Sequence, residues 1–124
     1  MEKINTDKAP AAIGPYSQGI ILNNLVFTSG QIPIDPATGA IVDGGIVEQT
    51  EQVFTNLKEV LAAADSGFNK VVKTTVFLSD MGNFATVNGI YAKYFTETLP
   101  ARSAIEVSKL PKDSMIEIEV IATR

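Results

Sequence analysis

Arg102 stands out among the residues that could do chemistry, because it follows a proline at the start of an apolar, strand-like run. Residues 99–107 read LPARSAIEV, and the fixed φ angle of Pro100 stiffens the approach to that run. An arginine held at a rigid strand end presents a planar fork of N–H donors that suits a carboxylate or a phosphate. From spacing alone, two roles of Arg102 stay equally open: binding an anion, or a salt bridge to Glu117 or Glu119.

Glu117 and Glu119 are the carboxylates expected to act with Arg102. They stand two positions apart in MIEIEVI, residues 115–121, so in a strand both project from one face. The alternate residues of that run are apolar, and so are most alternate residues of the run after the proline. If both apolar faces meet the helices, Arg102 and Ala104 share the other face with Glu117 and Glu119, with Ala104 near Glu117.

The mixed character of this second face leaves two interpretations open. Two acids at alternate strand positions most often belong to a solvated face, but Met115 and Ile121 lie on the same face. A half-apolar, half-charged face fits a contact with another subunit, where hydrogen-bonded charges build a pocket. The slightly positive mean hydropathy of so short a chain favours a subunit contact.

Histidine and cysteine are both absent from the 124 residues, which excludes several kinds of site. Without cysteine there is no disulfide, thiolate nucleophile or iron–sulfur centre. Without histidine the commonest general base and transition-metal ligand are missing. No zinc, calcium, dinucleotide or phosphate-loop pattern occurs. Catalysis would therefore depend on tyrosine, hydroxyl, amide, carboxylate, basic or backbone groups, or on water, and no metal site is expected.

Strand and helix signals alternate along the chain. Residues 19–22 and 25–29 are β-like, and the pair Asn23-Asn24 between them tolerates a left-handed turn, which predicts a hairpin. Residues 30–45 read as a long loop with a small β-arm around residues 39–42. Apolar spacing predicts helices over residues 47–64 and 84–95, and strands over residues 71–79, 102–107 and 115–121.

The order of these elements indicates an α+β domain in which two helices cover one face of a mixed sheet. We expect Ser66-Gly67 to end the first helix and Asn83 to cap the second. Residues 1–124 are expected to form one domain, with the opposite sheet face bare of helices.

Charge and hydropathy narrow the expected location and partners. The net charge of −4 argues against binding to nucleic acid through electrostatic attraction to its phosphates. The first ten residues lack the apolar region of a signal peptide, and no segment approaches the roughly 18 apolar residues that span a bilayer. A cytoplasmic protein without membrane partners is the expectation.

Five stretches of the sequence together resemble the reactive intermediate deaminase family, also called the RidA or YjgF group. They cover nearly the whole chain in order, and the combination of PARS, LPKD and IEIE is highly specific. The stretches are AAIGPYSQG (11–19), FTSGQIPIDPATG (27–39), VVKTTVFLSDMGNFATVN (71–88), PARSAIEVSKLPKD (100–113) and IEIEVIA (116–122).

The resemblance implies a fold, an assembly and an activity. The implied fold is chorismate-mutase-like α+β, a mixed six-stranded sheet with two helices on one face. Three such subunits would pack their sheets into a barrel, with active sites in the clefts between subunits. The implied activity is hydrolysis of reactive enamines and imines, such as 2-aminoacrylate and 2-aminocrotonate, to 2-keto acids and ammonia without a cofactor.

The resemblance also implies roles for individual residues. Arg102 of PARS would bind the substrate carboxylate, and Glu117 of IEIE would position or activate water. Ala104 stands where many relatives have cysteine; backbone contacts to ligand survive that change, so the chemistry would run without a thiol. Three further residues resemble pocket residues, namely Tyr16 of GPYSQG, Ser29 of TSGQ and Asn88 of FATVN.

Three other functions stay open at the level of sequence. A non-catalytic regulatory module that binds small carboxylates at the same clefts predicts tight binding without faster imine hydrolysis. A translation-inhibiting ribonuclease, as described for some relatives, is less compatible with a net charge of −4 and no histidine. A structural or chaperone-like role predicts indifference to substitution of Arg102.

Overall fold

Two layers, a six-stranded sheet and a pair of helices, make up the fold. The computed structural model describes residues 1–124. The strands are β1 (Glu2–Ile4), β2 (Gly19–Leu22), β3 (Leu25–Thr28), β4 (Val71–Leu78), β5 (Ala101–Glu106) and β6 (Ile116–Thr123); the helices are α1 (Ile46–Ala63) and α2 (Phe84–Tyr94). Both predicted helices are confirmed, with their ends shifted by one residue at most.

The sheet is mixed, as predicted. Its strand order is β1-β2-β3-β6-β4-β5; β4 and β5 run parallel, and every other neighbouring pair is antiparallel. The sequence pattern overlooks β1 because it has three residues, of which Ile4 alone is buried. A strand that short gives no alternation to detect.

Both helices pack on the same face of the sheet and bury its alternate side chains. In β6, Ile116 and Ile118 are fully buried, while the residues between them are not. The apolar stripe of α1 meets them, with Val53, Leu57 and Leu61 fully buried. The other face of the sheet carries no helix, which confirms the bare face expected from the pattern.

The turns follow the predictions with one exception. Asn23 adopts a left-handed φ of 55° in the β2–β3 hairpin, and an isolated antiparallel bridge joins Ile34 to Ile41 in the predicted arm. The exception is the end of α1, where Asp65 and not glycine takes the left-handed position, with a φ of 57°. The N–H of Ser66 then donates to the carbonyl of Leu61 at 2.9 Å, which is the bond of a Schellman motif.

The predicted cap of α2 is correct in place but not in chemistry. Asn83 occupies the N-cap position, yet its side chain makes no capping hydrogen bond. Asp80, three residues earlier, accepts a 2.8 Å hydrogen bond from the N–H of Gly82 and so stabilises the short turn that leads into the helix.

The placement of β5 corrects the predicted face of Arg102. β5 pairs with β4, and Arg102 is the register partner of Thr74, while Ala104 is the partner of Val76. Thr74 and Val76 are buried beneath the helices. Since register partners in neighbouring strands point to the same side, Arg102 and Ala104 lie on the helix-covered face.

Glu117 and Glu119 lie on the bare face, so the expectation that they share a face with Arg102 was wrong. In β6 they alternate with the buried isoleucines that meet the helices. The expectation assumed that β5 neighbours β6 and that Ile105 is buried. β4 separates the two strands, and at the exposed edge of the sheet Ile105 is 44% exposed.

Candidate functional site

A cavity of about 510 Å³ opens at the start of β6 and brings together three of the predicted site residues. Its walls come from the loop before β2, the segment after β3 and the turn before β6. Tyr16, Ser29 and Glu117 all line it. The motifs GPYSQG, TSGQ and IEIE therefore meet in space although they lie far apart in the sequence.

Glu117 is the one carboxylate of this cavity. Burial raises the pKa of its carboxyl group above the ordinary 4.5, and the nearby charge of Glu119 raises it further. Arg102 does not offset this within the chain, because it lies on the other face of the sheet. A carboxylate with a raised pKa is a better proton acceptor near neutral pH than an ordinary glutamate.

Gly30 is a site residue that the sequence reasoning left unassigned. A Cβ atom at this position would stand 2.8 Å from Cδ and 3.0 Å from Cγ of Glu117. The carboxylate thus folds directly over the backbone of residue 30, and a side chain at this position would have to displace it. The signal was the glycine of TSGQ, two residues after the end of β3.

Ser29 and Tyr16 present different hydrogen-bonding capacities to the cavity. The hydroxyl of Ser29 donates to the carbonyl of Ser17 at 2.5 Å, so its proton is taken and its oxygen keeps only the capacity to accept a hydrogen bond. Tyr16 is 54% exposed. Its backbone N–H donates to the carbonyl of Gly14 at 3.0 Å, in a turn where Gly14 has a φ of 129°.

Gln18 and Lys112 complete the cavity and were missed from sequence. The buried amide of Gln18 donates to the carbonyl of Pro10 at 2.8 Å and accepts from the N–H of Thr6 at 2.7 Å, which holds the first loop in place. Lys112, the sole basic residue in the lining, has a left-handed φ of 56°. This conformation belongs to the tight turn, residues 111–113, that leads into β6.

Arg102 and Asn88 form a second group, outside this cavity. Nη1 of Arg102 donates to Oδ1 of Asn88 at 2.7 Å. The guanidinium carbon lies 5.2 Å from the ring centroid of Phe84 and 4.8 Å from that of Tyr91, within cation–π range. Asn88 therefore contacts Arg102 and not the cavity. Arg102 has no ion pair with either glutamate, which excludes, within the chain, the salt bridge that its spacing left open.

The two groups are too far apart for one small ligand to touch both in a single chain. Arg102 pairs with Thr74 and Glu117 with Phe77, so they differ by about 10 Å along the strands and by two strand spacings of about 4.8 Å each. They also project from opposite faces. Ala104 lies on the helix side with Arg102, half-buried against the core and away from the cavity.

Two further structural features bear on cofactors and location. No group of three or more acidic side chains comes together in a way that would hold a metal ion. Neither helix is both long and apolar enough to cross a membrane.

Comparison with known proteins identifies the family. A family model described as endoribonuclease L-PSP matches residues 6–124. A RutC family protein from Pyrococcus horikoshii is 57% identical over 98% of this chain and 96% of its own length. The Mus musculus 2-iminobutanoate/2-iminopropanoate deaminase is 53% identical over 98% of this chain and 90% of its own length.

A solved structure agrees with these sequence matches. The crystal structure of E. coli TdcF with bound serine superposes with a TM-score of 0.95 at 43% identity, covering 100% of this chain and 99% of that one. The chain belongs to the endoribonuclease L-PSP family, the family that its motifs identify as the reactive intermediate deaminases.

Proposed function

We propose that this protein hydrolyses reactive enamines and imines, such as 2-aminoacrylate and 2-aminocrotonate, to 2-keto acids and ammonia. The observation that carries the proposal is Glu117, a half-buried carboxylate with a raised pKa in the main cavity of the chain. The relatives named as 2-iminobutanoate/2-iminopropanoate deaminases support the same reaction.

The chemistry needs a placed water, a base and a carboxylate anchor. An iminium ion already has an electrophilic C2 atom, so water adds to it while Glu117 accepts the proton that the water releases. Glu117 returns that proton to the nitrogen, the C–N bond breaks, and the remaining hydroxyl loses its proton to become the keto oxygen. Iminium and water thus give keto acid and ammonium.

Arg102 is assigned to the substrate carboxylate, and it would reach the cavity of a neighbouring subunit. Within one chain Arg102 and Glu117 lie on opposite faces of the sheet, so a site that uses both is built between chains. A homotrimer that packs its bare sheet faces together brings different surfaces of adjacent subunits into contact. Each cleft then holds Glu117 of one chain and Arg102 of the next.

The bare face of the sheet supports this assembly. Leu22, Leu25 and Phe27 on that face are 46%, 40% and 37% exposed. Phe27 pairs with Ile20 on one side and Ile121 on the other, which makes a continuous apolar row. Contiguous exposed apolar surface of this kind is typical of a subunit interface.

The test is turnover by Arg102 variants in an assay that generates 2-aminoacrylate or 2-aminocrotonate in place. Wild type should accelerate imine hydrolysis, and both Arg102→Ala and Arg102→Lys should lose about 100-fold or more in kcat/KM. Lysine keeps the charge but lacks the fork that binds a carboxylate through two bonds. Near-normal rates for either variant would contradict the assignment of Arg102.

The same assay separates the other candidate functions. Wild type that binds 2-oxobutanoate without accelerating imine hydrolysis would indicate a carboxylate-binding module. Ribonuclease activity that survives purification and disappears in Arg102→Ala would indicate an RNA-cleaving protein. Indifference of every activity to Arg102 substitution would indicate a structural role.

A further inference from the structure

Helix α2 turns one stripe of side chains towards Arg102. Phe84, Asn88 and Tyr91 stand at positions i, i+4 and i+7 of the helix, which lie on one helical face. All three contact the guanidinium. We infer that Tyr91, held in place by Thr74, is a positioning residue that orients Arg102 for the substrate carboxylate; this inference rests on the proposed function.

The contacts leave one edge of the guanidinium free. Nη1 is taken by Asn88 at 2.7 Å, and the two aromatic rings cover the group at 5.2 Å and 4.8 Å. No other guanidinium nitrogen has a hydrogen-bond partner within the chain. The Nε and Nη2 groups therefore stay available together, as a bidentate contact to a carboxylate requires.

Tyr91 is itself immobilised, so it can act as a fixed support. It is 7% exposed, and its hydroxyl forms a 2.8 Å hydrogen bond with Oγ1 of the fully buried Thr74. Thr74 is the register partner of Arg102 on the neighbouring strand. Three contacts thus restrict the Arg102 side chain, which is otherwise exposed. They are the pairing of β4 with β5, the hydroxyl bond between Tyr91 and Thr74, and the contact of the Tyr91 ring with the guanidinium.

This support predicts a particular kinetic signature. An exposed arginine on an edge strand samples many rotamers, and holding it in one before the substrate arrives reduces the entropy lost on binding. The substrate carboxylate is bound in both the ground state and the transition state. Loss of the support should therefore raise KM and leave kcat almost unchanged.

The experiment compares Tyr91→Leu, Tyr91→Phe and the control Tyr94→Leu. Tyr91→Leu should raise KM about fivefold with kcat within about twofold of wild type, since one cation–π contact is lost. Tyr91→Phe keeps the ring over the guanidinium but loses the hydroxyl bond to Thr74, so its KM should lie between those of wild type and Tyr91→Leu. Tyr94 lies in the same aromatic cluster but is not among the contacts of Arg102, so Tyr94→Leu should lower stability without changing KM.

Binding of 2-oxobutanoate, measured by calorimetry, makes the result independent of turnover. Its Kd should rise about fivefold in Tyr91→Leu and by less in Tyr91→Phe, which keeps the ring but loses the bond to Thr74. If Tyr91→Leu does not fold, Phe84→Leu removes the other ring and should give the same shift. Equal KM and equal Kd in the leucine variants and wild type, or a fall in kcat alone, would overturn the positioning role. Wild type without turnover would contradict the proposed function only, and the titration would still decide the role of Tyr91.

Discussion

At the scale of single residues, the position of the Glu117 carboxylate depends on the glycine at position 30. The carboxylate lies over a backbone position without a Cβ atom, 2.8 Å from where that atom would stand. Close packing against the chain removes water from the carboxyl group and contributes to its raised pKa. The absence of a side chain at residue 30 therefore contributes to the raised pKa of Glu117.

Replacement of Gly30 should reduce turnover through Glu117. In Gly30→Ala the new methyl group displaces the carboxylate, and a displacement of about 1 Å from a productive geometry costs about 100-fold in kcat. The matched control is Gly89→Ala, where a Cβ atom meets nothing within 4 Å, and it should keep full activity. Equal kcat values for the two variants would contradict the placement of Glu117.

The raised pKa of Glu117 predicts an acidic limb in the pH profile. Glu117 must be ionised to accept a proton, so kcat/KM should rise with pH through a pKa above 4.5. Glu117→Gln should lower kcat by about 100- to 10,000-fold and abolish this limb. A profile of kcat/KM from pH 4 to 8 measures both, and a variant that keeps the limb would show that another group titrates.

The raised pKa of Glu117 has the opposite effect on the stability of the fold, which should fall as the pH rises. The folded protein holds the proton of Glu117 more tightly than the unfolded chain, so stability falls as pH rises from 4.5 through the raised pKa. Glu117→Gln should consequently melt higher than wild type at pH 7 and alike at pH 4. Activity and stability would then change in opposite directions, as the proposed role of Glu117 predicts.

Helices α1 and α2 are joined by a polar contact as well as by aromatic packing. Glu51 of α1 accepts hydrogen bonds from Lys93 and Tyr94 of α2, both at 2.5 Å. The bond from Lys93, and then that from Tyr94, holds the pKa of Glu51 below 4.5. Burial, together with the bond to Glu51, raises the pKa of Tyr94 to about 12.

The contact between the helices should make stability depend on pH. A lowered pKa contributes stability above pH 4.5 that is lost as the pH falls through the folded-state value. Glu51→Gln should destabilise the protein at pH 7, and the difference from wild type should shrink towards pH 3. Urea unfolding at one fixed protein concentration measures it, with Glu59→Gln on the same helix as the control. A difference that stays constant with pH would contradict the coupling.

Local sequence patterns predicted where the helices and strands lie better than they predicted which strands are neighbours in the sheet. The apolar stripe of α1 and the alternation of β6 are properties of single segments, so sequence alone locates them. The parallel pairing of β5 with β4 depends on a crossover that no local pattern records. Ile105 suggested that its own side of this edge strand is buried, but it is 44% exposed, and the guanidinium of Arg102 lies on the opposite side of the strand against Tyr91 of α2.

The candidate site was predictable only in part for the same reason. Motifs indicated Tyr16, Ser29 and Glu117, and the fold brings them to one cavity. The role of Gly30 depends on the carboxylate of Glu117, which comes from a distant strand and lies over the backbone of residue 30. The role of Gln18 depends on the hydrogen bond of its amide to the carbonyl of Pro10 across the first loop. A single sequence carries no record of such contacts.

At the scale of the whole molecule, the bare sheet face should govern both assembly and activity. Phe27→Glu places a charge in the centre of the apolar row without touching the core, because Phe27 points away from the helices. It should convert the proposed trimer to monomers and abolish turnover, since a single chain cannot combine Arg102 with Glu117. Light scattering and the imine assay measure the two effects.

A matched charge on the helix side serves as the control for the interface. Val47 at the start of α1 is 47% exposed, so Val47→Glu adds the same charge to a surface outside the sheet. It should leave the molecular mass and the rate unchanged. A Phe27→Glu protein that keeps the mass of wild type would place the interface elsewhere.

The separation of Arg102 from Glu117 across the sheet has a genetic consequence. Two alleles, Arg102→Ala and Glu117→Gln, would each encode an inactive protein. The first keeps Glu117 and the second keeps Arg102, so each supplies the site residue that the other lacks. When both are expressed together and chains assemble at random, about a quarter of the clefts receive both wild-type residues. Cells carrying both alleles should therefore regain about a quarter of the activity, whereas a site contained in one chain would give no rescue at all.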